Sequence, residues 1–177
     1  FCPQNVFEKT VKNYKIVFDY EIIKDLSFVK NIKKVIVVDI GKYNQSIGIP
    51  SINSGKASFQ SIIGAYKSIE LKYADAIITA PISKTSFQLA EINYLGHTEL
   101  FAELTKTKNY LMTFLSKSMI AALATIHIPI KDIAKTLSKR KIKQSLYVLN
   151  NILKYDLGIS NPKIALLGLN PHAGENG

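Results

Sequence analysis

From Lys34 onward, short β-branched apolar runs alternate with amphipathic stretches. Val35-Ile36-Val37-Val38 and Ala76-Ile77-Ile78-Thr79-Ala80 are of strand type, and the second stops at Pro81, which has no N–H to give a ladder. Tyr110 to Leu115 and Ile120 to Ile126 read as two further strands, and Lys163 to Leu169 as a last buried one. The intervening patterns are helical. Ser54 is placed to cap a helix carrying Phe59, Ile62, Ile63, Tyr66 and Ile69 on one broad face. A short helix is expected from about Lys84 to Ala90, and another from near Thr98, with Leu100, Phe101 and Leu104 turned inward. Ser138 caps a longer helix whose Ile142, Leu146, Leu149 and Leu153 recur at spacings of four, three and four, and Gly158 stands where a left-handed C-cap belongs. Val11 to Tyr20 is apolar and basic without a clean period, and Gly41 to Gly55 is a Gly/Asn/Ser/Pro-rich connection.

Short strands alternating with helices predict an α/β fold: three layers, with a mostly parallel sheet covered by helices on both faces. Residues 1–177 are expected to form one α/β unit, an N-terminal or central portion of a longer two-domain chain. The reason lies at the end, where the last apolar strand runs into Asn170-Pro171-His172-Ala173-Gly174-Glu175 two residues before the sequence stops. Pro171 ends the ladder there, and Gly174 permits a positive φ. A loop just past a buried strand is where open α/β sheets place ligands.

Composition narrows the classes. At 47% hydrophobic the chain is ordinary for a globular protein, and no apolar run nears the roughly 18–20 residues of a membrane span. The opening residues lack the apolar core of a signal peptide. Cys2 is the single cysteine, which excludes an internal disulfide or a cysteine-rich metal site and makes a reducing, cytoplasmic compartment the expectation. The net charge of +10 invites a nucleic-acid reading. Against it, Arg140 is the only arginine and the lysines are scattered, the densest cluster being Lys139-Arg140-Lys141 with Lys143 at the start of a helix. Readers of bases and phosphates lean on arginine's bidentate fork, so neither a nucleic-acid nor a membrane partner is expected.

All three histidines fall at strand-to-loop junctions or in turn segments: His97 in Leu95-Gly96-His97-Thr98-Glu99, His127 after Ile126, and His172 after the final strand. A histidine after a strand serves equally well as a capping or hydrogen-bonding group. Three at the same kind of junction favour convergence on one sheet edge, and neutral imidazole is the commonest metal ligand. Two imidazoles fall short of the three protein ligands usual for catalytic zinc, so a third would come from elsewhere. Lys84, on a loop after a strand, suits a phosphate or carboxylate, and reads equally as a solvated lysine opening a helix.

Four segments then act together. Ile78-Thr79-Ala80-Pro81-Ile82-Ser83-Lys84, Gly96-His97-Thr98-Glu99, Thr125-Ile126-His127-Ile128-Pro129 and Leu169-Asn170-Pro171-His172-Ala173-Gly174-Glu175 resemble, in order and spacing, the 4-hydroxythreonine-4-phosphate dehydrogenase family of pyridoxal phosphate biosynthesis. The intervals agree too, 30 residues from His97 to His127 and 45 from His127 to His172. The resemblance covers roughly Gly41 to Gly177. It implies an NAD-dependent oxidoreductase that oxidises the secondary alcohol of 4-phosphohydroxy-L-threonine with a divalent metal (Zn, Mg or Co), followed by decarboxylation to 3-amino-2-oxopropyl phosphate. A relative acting on another phosphorylated hydroxy acid is the near alternative, and a non-catalytic anion-binding α/β domain the more distant one. Carried over residue by residue, it implies substrate binding by His97 and Thr98 and metal binding by His127 and His172. It also implies a fold like that of isocitrate and isopropylmalate dehydrogenases, and a homodimer with the active site at the interface. No Gly-x-Gly-x-x-Gly follows any strand, so NAD enters through the resemblance alone.

Overall fold

The computed structural model describes residues 1–29 and 33–172, which fall into two compact units, Phe1–Thr105 and Lys106–Gly177. In the first unit the β-branched run forms strand β2 (Val35–Val38) as its composition predicts. It pairs in parallel with β1 (Tyr20–Ile23), Tyr20 opposite Val35 and Ile23 opposite Val38, and buries Ile23, Val37 and Val38. Cys2 adds a parallel bridge to Asp39 on the other edge of β2, donating its N–H to the Val38 carbonyl at 3.1 Å.

Helix α1 (Gln4–Tyr14) follows directly, in the stretch whose pattern was hard to read. Its N-cap, Pro3, offers no side-chain acceptor. Asp39, 35 residues further on, supplies one: its Oδ1 accepts from Gln4 N at 2.8 Å and from Gly41 N at 3.1 Å. One carboxylate at the end of β2 thus satisfies an orphan N–H of α1 and steadies the turn that leaves the strand.

Helix α2 (Ile52–Glu70) is capped by Ser51, one turn earlier than the sequence reading had it. Ser54 sits at the third helical position and completes a reciprocal capping box, the Ser51 side chain accepting from Ser54 N and Ser54 Oγ accepting from Ser51 N. Ser54 Oγ also reaches Ser86 Oγ at 2.9 Å, tying α2 to α3 (Lys84–Leu89), while α4 (His97–Leu104) follows. Ile62 from α2, Phe87 from α3 and Leu100 from α4 form the buried core of this unit, with Phe59, Ile63, Ile82, Phe101 and Leu104 packed around it. Gly55 lets α2 and α3 touch: a Cβ there would lie 2.1 Å from the Ser86 carbonyl oxygen.

In the second unit, β3 (Thr113–Leu115) and β4 (Ile120–Ala122) make an antiparallel hairpin, both shorter than the patterns 110–115 and 120–126 suggested. A 3-10 turn (Ile130–Asp132) and the single-turn α5 (Ile133–Thr136) lead to α6 (Lys139–Asn151). Ser138 caps α6 as expected, accepting from Lys141 N at 3.2 Å. The helix runs out through a π-type turn (Ile152–Asp156). Gly158 then takes φ +68°, the left-handed conformation that the sequence position suggested, and Ile159 N donates back to Leu153 O at 2.8 Å. The apolar face of α6 (Ile142, Leu146, Leu149), continued by Leu153 in the following turn, lines a cavity of about 700 Å³ together with Ile120 and Ile164.

The α/β class is therefore as expected, but the sheet is not one mostly parallel layer. The described residues form two two-stranded sheets, one parallel and one antiparallel. The two runs expected as buried strands, 76–80 and 163–169, carry no ladder; Ile78 is 99% exposed and Leu167 86%. An apolar run reports a segment that favours cover, whereas a ladder also needs a neighbouring strand, and none pairs with these two among the described residues.

Candidate phosphate and metal-ligand residues

The first turn of α4 is a candidate anion site. Gly96 at its N-cap has no side chain to satisfy the opening N–H groups, and no side-chain cap bonds them. His97 is the first helical residue and Thr98, half-buried, the second. The His97 ring stacks on Phe101 one turn along, with centroids 6.3 Å apart and planes 18° from parallel. Its Nε2 is buried and has no hydrogen-bond partner among the described residues. A buried, unpaired ring nitrogen costs about 1–3 kcal/mol unless something fills the bond. Glu99, the acid of this turn, complements the dipole in the meantime.

Three contacts fix where that turn sits. Leu100, 1% exposed, locks into the core; Tyr66 Oη on α2 donates to Leu104 O at 2.9 Å; and the Tyr94 phenol hydrogen-bonds the Glu103 carboxylate, which raises its pKa above the ordinary 10.0, with burial adding to the rise. Lys84 is exposed at the start of α3, where the Ser83 side chain accepts from Ser86 N at 3.2 Å. Its helix hangs on the same core, since Phe87 lies three residues after Lys84 just as Leu100 lies three after His97. Both candidate binding groups therefore open helices whose first turns are pinned at one cluster.

His127 and His172 lie in the second unit, and both are exposed. His127 stands five residues beyond β4 with φ +56°, an uncommon left-handed conformation for a residue with a Cβ, and His172 sits in a turn. Ala173, Gly174 and Glu175 of the same motif lie outside the described residues. Imidazole nitrogens suit a divalent ion in kind. In number they fall short, for no group of three or more His, Cys, Asp or Glu among the described residues is placed to hold a metal. The stacked Phe101, the Tyr66 and Tyr94 anchors and the Asp39 cap escaped the sequence reading. Phe101 left a trace in it as an inward residue four after a histidine, and Tyr66 as part of the apolar face of α2.

An α/β core carrying an uncapped helix start with a buried, unpartnered imidazole nitrogen has the features that suit a small anionic ligand. Comparison with known proteins gives the family. The model of the family described as pyridoxal phosphate biosynthetic protein PdxA matches residues 2–177, and the chain belongs to that family. The match takes in the opening residues as well as the part from Gly41 onward. A 4-hydroxythreonine-4-phosphate dehydrogenase from Sulfurihydrogenibium sp. (strain YO3AOP1) is 40% identical over 157 residues, covering 88% of this chain and 49% of that protein. One from Sulfurimonas denitrificans is 36% identical over 168 residues, covering 95% and 48%. The crystal structure of 4-hydroxythreonine-4-phosphate dehydrogenase from Klebsiella pneumoniae superposes with a TM-score of 0.80 at 29% identity, over 99% of this chain and 54% of that one. The chain spans about half the length of the curated relatives it matches.

Proposed function

We propose that these residues supply the substrate-phosphate site and two metal ligands of a 4-hydroxythreonine-4-phosphate dehydrogenase. The observation that carries this is the buried, unpartnered Nε2 of His97 at the uncapped start of α4. Nε2 and the first N–H groups of the helix would share the phosphate of 4-phosphohydroxy-L-threonine, with Thr98 as a hydroxyl donor and Lys84 as a point charge. His127 and His172 would hold a divalent ion (Zn, Mg or Co) with a third ligand from elsewhere. When bound, such an ion supplies Lewis acidity at the substrate hydroxyl and NAD accepts the hydride, and carbon dioxide then leaves the β-keto acid to give 3-amino-2-oxopropyl phosphate. What this chain contributes is orientation: phosphate anchored at a fixed helix end sets the carbinol carbon at a fixed reach. The three-layer arrangement of isocitrate and isopropylmalate dehydrogenases, a cytoplasmic location and a homodimer with the site at its interface complete the reading.

A second substrate is favoured by one relative. A protein named putative D-threonate 4-phosphate dehydrogenase, from Halalkalibacterium halodurans, is 38% identical over 131 residues, and its named substrate is a phosphorylated hydroxy acid without the amine. Calorimetric titration of both phosphates and of inorganic phosphate tests the shared anchor, and the ratio of the two organic phosphates ranks the substrates. His97→Ala should weaken all three by about 10–100-fold, the worth of a charge-assisted hydrogen bond. Unchanged affinity in that variant sinks the assignment.

A further inference from the structure

We propose that Phe101 is a positioning residue that holds the His97 imidazole ready for phosphate; the proposal rests on the reading of the α4 start as the phosphate site. The two residues are four apart on α4, the spacing at which helical side chains meet. Their rings lie 18° from parallel with centroids 6.3 Å apart, a widely offset stack that takes up no hydrogen bond of Nε2. Phe101 is itself fixed, packed against the buried cluster of Ile62, Phe87 and Leu100. The chain of contact therefore runs from the core, through an aromatic ring, to an imidazole whose Nε2 is buried and unpartnered among the described residues.

A hydrogen bond to Nε2 from a neighbouring side chain would also immobilise His97, but it would use up the nitrogen meant for the anion. A stacked ring leaves that nitrogen free. Binding then need not freeze the imidazole at the moment the anion arrives, because the protein has already fixed it. Loss of the ring should therefore weaken phosphate binding through His97 and through nothing else.

The test follows the imidazole nitrogens of His97 by NMR while inorganic phosphate is titrated into the 177-residue chain and its variants. Phosphate should shift Nε2 in the wild type. Phe101→Leu keeps the apolar bulk and should lower phosphate affinity several-fold to about tenfold, the cost of immobilising one side chain on binding, while Phe101→Tyr should keep it. In a His97→Ala background, Phe101→Leu should change affinity no further, whereas general damage to α4 would weaken binding there as well. Phe101→Met makes the same comparison if the Leu variant does not fold. If the wild-type His97 ignores phosphate, the phosphate reading fails and takes this proposal with it. If the wild type responds and the Leu variant binds equally tightly, or loses as much affinity without His97, only the positioning role is overturned.

Discussion

Gly55→Ala sets two effects of opposite sign against each other, and the structure decides between them. Gly55 lies in the first turns of α2 with ordinary helical φ, where alanine would normally stabilise by about 1 kcal/mol. The added Cβ, however, would stand 2.1 Å from the Ser86 carbonyl oxygen, 2.7 Å from its carbon and 2.9 Å from the Ala90 Cβ. The first two are backbone atoms of α3 and cannot rotate aside. To restore ordinary contact α2 and α3 must part by about 1 Å, which stretches the Ser54–Ser86 hydrogen bond and loosens Phe87 in the core. Overpacking costs about 1–3 kcal/mol, and a 2.1 Å clash with backbone that cannot rotate aside belongs at the upper end, about 2–3, so the net is a loss of about 1–2 kcal/mol. For a chain of this length that lowers Tm by roughly 2–8 °C. Gly64→Ala is the matched comparison: there the Cβ meets the Phe1 ring at 2.5 Å, a side chain at the end of the chain that can swing away. It should be neutral or slightly stabilising. Thermal unfolding followed by circular dichroism reads both variants. A Tm for Gly55→Ala at or above wild type would refute the packing argument outright.

Ser138→Ala removes the only side-chain cap of α6 and should cost about 0.5–2 kcal/mol in urea unfolding, with Ser138→Asp retaining most of the stability; no difference between Ala and Asp would show that the cap carries nothing. Tyr94 gives a pH signature. Its folded pKa lies above 10.0, chiefly through the Glu103 hydrogen bond, so its contribution is whole below the unfolded pKa and is lost as pH rises through the folded one. Tyr66 is raised in the same direction, by burial first and then by Glu70, so Tyr94→Phe should remove only part of the alkaline fall in Tm. If the fall between about pH 9 and 12 is identical in wild type and variant, the Tyr94–Glu103 contact contributes no stability.

What the sequence made legible was local. Val35–Val38, the Ser138 cap, the α6 stripe and the starts of α3 and α4 all follow from residues within a turn or two of one another. Helix α1 was missed although Val6, Phe7, Val11 and Tyr14 sit at helical spacing, because its capping acceptor is Asp39 and its N-cap is a proline. Strand β1 was missed because Phe18 and Tyr20 read as unpatterned, while in the fold they gather with Phe7 into one aromatic cluster. The runs 76–80 and 163–169 were read as buried strands on apolarity alone, which says nothing of pairing partners. At the site, Gly-His-Thr-Glu marked a helix start correctly. That Nε2 would be buried and free depends on Phe101 and the core behind it, a matter of packing that spacing does not encode.

The arrangement of unit Phe1–Thr105 also explains why its candidate binding groups need few contacts of their own. Lys84 is exposed and His97 only partly covered, yet each opens a helix whose next turn is anchored by a residue 1% exposed. Phe87 and Leu100 touch through Ile62, so a shift at one first turn is resisted by the packing of the other. Interiors at this density deform little, and a group three residues from such an anchor inherits its precision. Helix starts are economical places for that purpose, because the backbone supplies the donors and the core supplies the aim. The side chains then choose the ligand: an imidazole with one nitrogen free and a lysine nearby in sequence order both favour an anion. The precision proposed for phosphate would thus be a property of the α2–α3–α4 junction at Gly55, Ser86 and Phe87 as much as of His97 itself.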